Sequence, residues 1–169
     1  MKRLTSATLL SIVVGCSADA GTGPESPAFH LYAASDGCTA VRFIVHESGT
    51  FPTFPGIVTG DLEGAVMTEF TSLIEGPAVN VGRGVTKWQI TGGVIPGLVG
   101  REFETAIEAL TIFVPNPKDP LVFAVRANDH AIAGIRSADL TAHGLLDASD
   151  PPLEPPFDVE LRYQGTLCP

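Results

Sequence analysis

The sequence predicts an all-β fold, an antiparallel β-barrel of about eight strands, with a β-sandwich as the alternative. Three observations carry this expectation. Short segments of alternating apolar and polar residues recur along the chain between turn residues, and none reads as a clear helix. Gly and Pro are plentiful, 18 and 14 of 169 residues, which favours many turns and short elements over long helices. Cys38 and Cys168 flank the first and last alternating segments, as they would where the first and last strands meet to close a barrel.

In chain order, 39–46 (TAVRFIVH) sets Val41, Phe43 and Val45 against Arg42, Ile44 and His46, a strand with one strongly apolar face. Residues 51–56 (FPTFPG) read as a turn-rich connection, because proline cannot donate to a ladder and is excluded from a central strand. Within 61–75, Leu62, Gly64, Val66, Thr68, Phe70 and Ser72 share one parity; Glu63, Met67, Glu69 and Thr71 share the other, and Gly64 is a candidate bulge. Residues 83–91 (RGVTKWQIT) set Thr86, Trp88 and Ile90 against Val85, Lys87 and Gln89. A glycine-punctuated apolar link, 93–100 (GVIPGLVG), follows.

Segment 101–114 carries two periodicities. Phe103, Ala106, Ile107 and Leu110 have helical spacing, whereas a strand places Phe103, Thr105, Ile107, Ala109, Thr111 and Phe113 on one face and Glu102, Glu104 and Glu108 on the other. The β-rich tail LTIFV and the absence of an N-cap residue favour strand. Residues 116–120 (NPKDP) form a loop, 121–127 (LVFAVRA) a strand, and a further strand lies within 131–146. An acidic, proline-rich loop, 147–156 (DASDPPLEPP), precedes the clearest strand, 157–164, with Phe157, Val159, Leu161 and Tyr163 inward and Asp158, Glu160, Arg162 and Gln164 outward.

A length of 169 residues favours one folded domain. Disorder is disfavoured by a mean hydropathy of +0.26 with only 17% charged residues. With 19 acidic against 10 basic side chains the net charge is −9, which argues against nucleic acid and against electrostatic docking on an anionic membrane face.

The N-terminus reads as an address. Met1-Lys2-Arg3 is basic, and the apolar run 4–14 is too short for a spanning helix, which needs about 20 residues; it fits the apolar region of a signal peptide. Val13-Val14-Gly15-Cys16 resembles the lipobox of bacterial lipoproteins. That resemblance implies cleavage before Cys16 and lipid on its thiol. Ser17, rather than Asp, after the cysteine implies the outer membrane in a Gram-negative cell. The alternative is an ordinary signal peptide and a secreted or periplasmic product. The expected organisation is a signal peptide over 1–15, a flexible tether over 16–29 and a single all-β domain over 30–169. With Cys16 lipidated, Cys38 and Cys168 are left to form a disulfide across nearly the whole domain; two unpaired buried thiols are the alternative.

The stretch Trp88-Gln89-Ile90-Thr91-Gly92-Gly93, with Gly97 and Gly100 beyond it, resembles a glycine motif of the allene oxide cyclase and dirigent-like β-barrels. Pro96 and a shorter glycine spacing depart from that motif, and the match covers about a dozen residues. The resemblance implies an eight-stranded barrel with a central pocket and carries over no catalytic residue. Calycin-like barrels fit the strand count equally well.

No catalytic motif emerges. A GxSxG elbow, a P-loop and the second His of HExxH are all missing from the sequence. Asp129-His130 with Asp139 and His143 could converge from adjacent strands on zinc, but separate surface groups at loops are the favoured reading. Asp147, Asp150 and Glu154 read as a solvated loop, and Glu102, Glu104 and Glu108 as a solvated strand face. No metal, cofactor or catalytic residue is therefore expected. Trp88, Phe103 and Tyr163 are the candidates for a pocket lining, with core packing as the competing role. The expected function is a lipid-anchored cell-envelope module binding a small apolar ligand or an envelope protein. A cyclase- or isomerase-like enzyme in the same barrel, or an adhesive surface module, is the alternative.

Overall fold

The alternation read along the sequence becomes the inner and outer face of a closed wall. The computed structural model describes residues 37–95, 97–113, 120–150 and 152–169. The expected signal peptide, Cys16, the tether and the first residues of the expected domain lie outside the described residues. Eight strands follow one another: β1 (Thr39–Gly49), β2 (Thr53–Gly60), β3 (Leu62–Ile74), β4 (Val79–Gly93), β5 (Glu102–Ile112), β6 (Val122–Ala133), β7 (Ser137–Asp147) and β8 (Phe157–Cys168). Each pairs antiparallel with the next, and β1 pairs with β8 from Thr39↔Leu167 to Gly49↔Phe157. Of the two expected architectures the chain adopts the barrel. Closure pairs each of the eight described strands on both sides, so none of them presents an open edge.

β5 settles the ambiguous segment. Both periodicities put Phe103 and Ile107 on one face, so Ala106 and Leu110 discriminate. A helical stripe would bury them, yet Ala106 is exposed and Leu110 half-buried, while Phe103, Thr105, Ile107 and Ala109 point in. The expected bulge at Gly64 is present as a register shift between Glu63 and Gly64, and a second lies between Phe70 and Ser72.

Two expectations need correction. Thr53–Gly60, assigned in part to a connection, is β2. Its Pro55 is exposed and faces Met67 of β3, while the ladder to β1 begins one residue later at Gly56↔Glu47. The proline thus sits where β1 asks nothing of its missing N–H. Pro52 lies in the turn between β1 and β2, which Thr50 and Thr53 close with reciprocal backbone hydrogen bonds of 3.1 and 2.7 Å. The second correction is β6, which runs on to Ala133, so Asp129 and His130 are strand residues rather than loop residues.

The outer wall mixes charged side chains with exposed apolar ones, among them Ile57, Met67, Ile132 and Leu145. Arg42, Glu69, Lys87, Glu108, Arg126, Asp139 and Arg162, each from a different strand, are exposed on it. Inside, one end is closed by Leu62, Ile90, Ile95, Leu98, Leu140 and Leu167, all fully or nearly fully buried. The Cys38–Cys168 disulfide joins the start of β1 to the end of β8, 130 positions apart. A cross-link over a loop of that length contributes about 4–5 kcal/mol in the chain-entropy account.

Candidate functional site

The other half of the barrel is not filled. A cavity of about 410 Å³ lies at the end carrying the β1–β2, β3–β4, β5–β6 and β7–β8 connections. Phe51 and Leu153 line its rim and are themselves exposed, so it reaches the surface. Its walls are apolar, from Phe54 and Phe70 on one side to Phe113, Phe123, Val125 and Phe157 on the other. Small inward residues leave the room. Ala109 is one. Gly82 is another: a Cβ there would lie 2.8 Å from the Phe70 ring, so only glycine lets that ring lie against β4.

The floor is set by parity. Glu47, Ile107 and Leu161 line the cavity, whereas the next inward residues on the same strands, Val45, Thr105 and Tyr163, do not. Glu47 is therefore a carboxyl group at the bottom of an apolar cavity, only 7% exposed. Its Oε1 accepts a hydrogen bond from the Thr68 hydroxyl at 2.6 Å, and Thr68 lies 3.3 Å from the Thr86 hydroxyl. Beneath them is a second carboxyl, Asp129, with no exposed surface. Asp129 accepts hydrogen bonds from Thr105 at 2.6 Å and from the Tyr163 hydroxyl at 3.0 Å, and the Trp88 indole N–H donates to Thr105 at 2.9 Å. Among the described residues no buried side-chain polar atom lacks a partner.

Burial dominates the acidity of both carboxyls. It pushes Glu47 from 4.5 up to about 7; the Thr68 hydrogen bond opposes the rise and the charge of Asp129 adds to it. Asp129 rises from 3.8 to about 6, again through burial, against hydrogen bonds from Thr105, Tyr163 and Thr86 and the nearby His130. Tyr163, wholly buried beside both acids, is held well above its ordinary value of 10.0. Near neutral pH the cavity thus holds a carboxyl able to gain or lose a proton, backed by neutral hydroxyl donors.

Trp88, Phe103 and Tyr163 do not border this cavity. They pack beneath it with Phe43: Trp88 stacks on Phe103 at 5.7 Å, Phe43 on Tyr163 at 5.1 Å, and Trp88 meets Phe43 and Tyr163 edge-on at 5.6 Å. Core packing is their place, and Trp88 and Tyr163 also serve the buried polar network.

The other sequence candidates stay apart. His130 and Asp139 approach to 3.5 Å on the exposed wall while Asp129 points inside, so the three do not converge. Among the described residues no group of His, Cys, Asp and Glu is placed to hold a metal. Asp147 turns to Ser149, accepting from its backbone N–H at 2.9 Å and from its hydroxyl, which lowers its pKa. Glu102 and Glu108 lie on the outer wall, bonded to Gln89 at 3.2 Å and Arg83 at 2.7 Å.

The inward places of Glu47 and Asp129 escape the sequence reading for one reason: each lies past the expected end of its strand. The signal was present in parity. Glu47 continues the inward series Val41, Phe43, Val45, and Asp129 continues Val125, Ala127. Compared with known proteins, the chain matches no family, no curated protein and no solved structure.

Proposed function

We propose that this protein is a cell-envelope binding protein, held to a membrane by lipid on Cys16, whose barrel takes a small apolar ligand into its cavity. The observation that carries the binding reading is the cavity itself: about 410 Å³, apolar-walled, with one carboxyl at its floor. Ligand sites have this character, a mostly apolar concavity of roughly 300–1,000 Å³ with a few placed polar groups. Anchoring is supported by Val13-Val14-Gly15-Cys16 after a basic, then apolar, start. Two or more acyl chains hold a protein stably where one holds it marginally.

The test is a titration with N-phenyl-1-naphthylamine, a neutral apolar probe whose fluorescence rises on leaving water. Saturable enhancement is expected. Ala109→Phe fills the cavity from β5 and should abolish it while the fold persists. Enhancement unchanged in that variant would place the probe elsewhere and refute the reading.

One observation favours a second reading, a cyclase- or isomerase-like enzyme: Glu47 titrates near 7, where a general acid–base group works best. Asn80 and Thr111 also line the cavity and could orient a substrate. Such an enzyme would wash deuterium from D₂O into the α-carbon of a bound ketone, and Glu47→Gln would stop it. No exchange with any bound ketone would end this reading.

A further inference from the structure

The chemistry around Glu47 narrows the ligand class within the binding reading on which it rests. We infer that the ligand is a hydrophobic amine: an alkyl- or arylammonium ion whose nitrogen sits against Glu47 and whose apolar body fills the cavity.

Four observations converge on a cation. Glu47 Oε1 accepts from Thr68; its other oxygen bonds to no described residue and is not among the buried polar atoms, so it faces the cavity and remains for an occupant. Among the described residues no Lys, Arg or His lines the cavity. A second carboxyl, Asp129, lies behind the floor with both oxygens already bonded to Thr105 and Tyr163. Its charge reinforces a negative potential that it cannot itself satisfy with a ligand. Among the described residues the donors that reach the two acids are neutral hydroxyls, so neither acid has a cationic hydrogen-bond partner, whereas buried charges in proteins are ordinarily paired.

The walls agree with the floor. Phe51, Phe54, Phe70, Phe113, Phe123 and Phe157 line the cavity, six of the nine phenylalanines of the chain. Ring faces attract an ammonium ion and repel an anion. An anionic amphiphile would meet Glu47 and Asp129 as like charges. An alcohol would gain one hydrogen bond and leave the charge uncompensated.

Among the described residues the titratable groups that act on Glu47 from the interior are Asp129 on β6 and Tyr163 on β8; His46 and Glu160 point to the outer wall, as does His130, whose charge favours ionised Asp129. Tyr163 stays protonated throughout. An ammonium ligand needs ionised Glu47, so its affinity should fall by about tenfold for each pH unit below about 7. The slope flattens once Asp129 takes its proton near 6 and ceases to oppose ionisation of Glu47.

The experiment compares octylamine, octanol and octanoate, equal chains with different heads, as displacers of N-phenyl-1-naphthylamine at pH 7.5 and pH 5.5. Octylammonium should displace the probe at about ten- to a hundredfold lower concentration than the other two at pH 7.5. That advantage should shrink at pH 5.5. Glu47→Gln should keep probe binding and bring the amine to the level of the alcohol. Octanol or octanoate equalling octylamine on the unmodified protein would overturn the inference while probe binding still supported the cavity. No probe binding at all would remove both. The series on the unmodified protein decides by itself, whether or not the variant folds.

Discussion

Replacing Glu47 by Gln removes a charge from the cavity floor without changing its shape. Gln keeps an oxygen to accept the Thr68 hydroxyl bond, so little is lost where Glu47 is already neutral. The consequence depends on pH, and its sign follows from linkage. With a folded pKa of about 7 against 4.5, the native protein binds more protons than the unfolded chain between those values. Stability conferred by the neutral carboxyl is therefore complete below about 4.5 and is lost as pH rises through 7. At about 1.4 kcal/mol per pH unit, the loss comes to about 3 kcal/mol. The variant should match the unmodified protein at pH 4 and exceed its stability by about 3 kcal/mol at pH 8. With a urea slope of about 1–3 kcal/mol/M, that is a midpoint shift of roughly 1–3 M. Trp88 is the only tryptophan and is buried beside the network, so its fluorescence reports unfolding directly. A variant no more stable at pH 8 than at pH 4, relative to the unmodified protein, would show that Glu47 is not a desolvated carboxyl at the cavity floor.

Other consequences are equally concrete. Asp129→Ala leaves the Thr105 and Tyr163 hydroxyls without their acceptor, so at pH 4 it should destabilise by about 2–3 kcal/mol in urea unfolding. That deficit should narrow at pH 8, where the unmodified protein carries the cost of the buried Asp129 charge. Changing Cys38 and Cys168 together to Ser should remove about 4 kcal/mol and make stability insensitive to dithiothreitol; a variant as stable as the oxidised protein would argue against a cross-link over so long a loop. In cell fractionation, Cys16→Ser should move the protein from the membrane to the soluble fraction, and unchanged membrane association would exclude the lipid anchor.

How much was legible in the sequence depended on whether alternation stayed unbroken. β1 and β8 alternate cleanly, β5 does so beside a competing helical spacing, and the inward residues are those of the strand reading: Val41, Phe43 and Val45; Phe103, Ile107 and Ala109; Val159, Leu161 and Tyr163. The disulfide followed from parity of cysteine count and from the places of Cys38 and Cys168. β2 was hidden because TFPGIVTG carries both Pro55 and Gly56, and its tolerance of proline depends on where the β1 ladder begins, which is a tertiary fact. The site was hidden differently. The aromatic residues expected to line it, Trp88, Phe103 and Tyr163, are buried together beneath the cavity and fill the barrel there. The space instead arises where inward positions are small, at Gly82 and Ala109, and such positions look unremarkable in a linear pattern. A carboxylate at an inward position was the visible mark of the floor; ending the strands at His46 and Ala127 concealed it.

The cavity is a binding site, and not a packing defect, only if a ligand enters it. A crystal structure of the protein grown with N-phenyl-1-naphthylamine tests this directly. Probe density is expected between Phe54, Ile107 and Leu161, with the probe N–H turned toward Glu47. An unliganded interior closed by the Phe70, Phe113 and Phe123 rings, with the probe only on the outer wall, would contradict it.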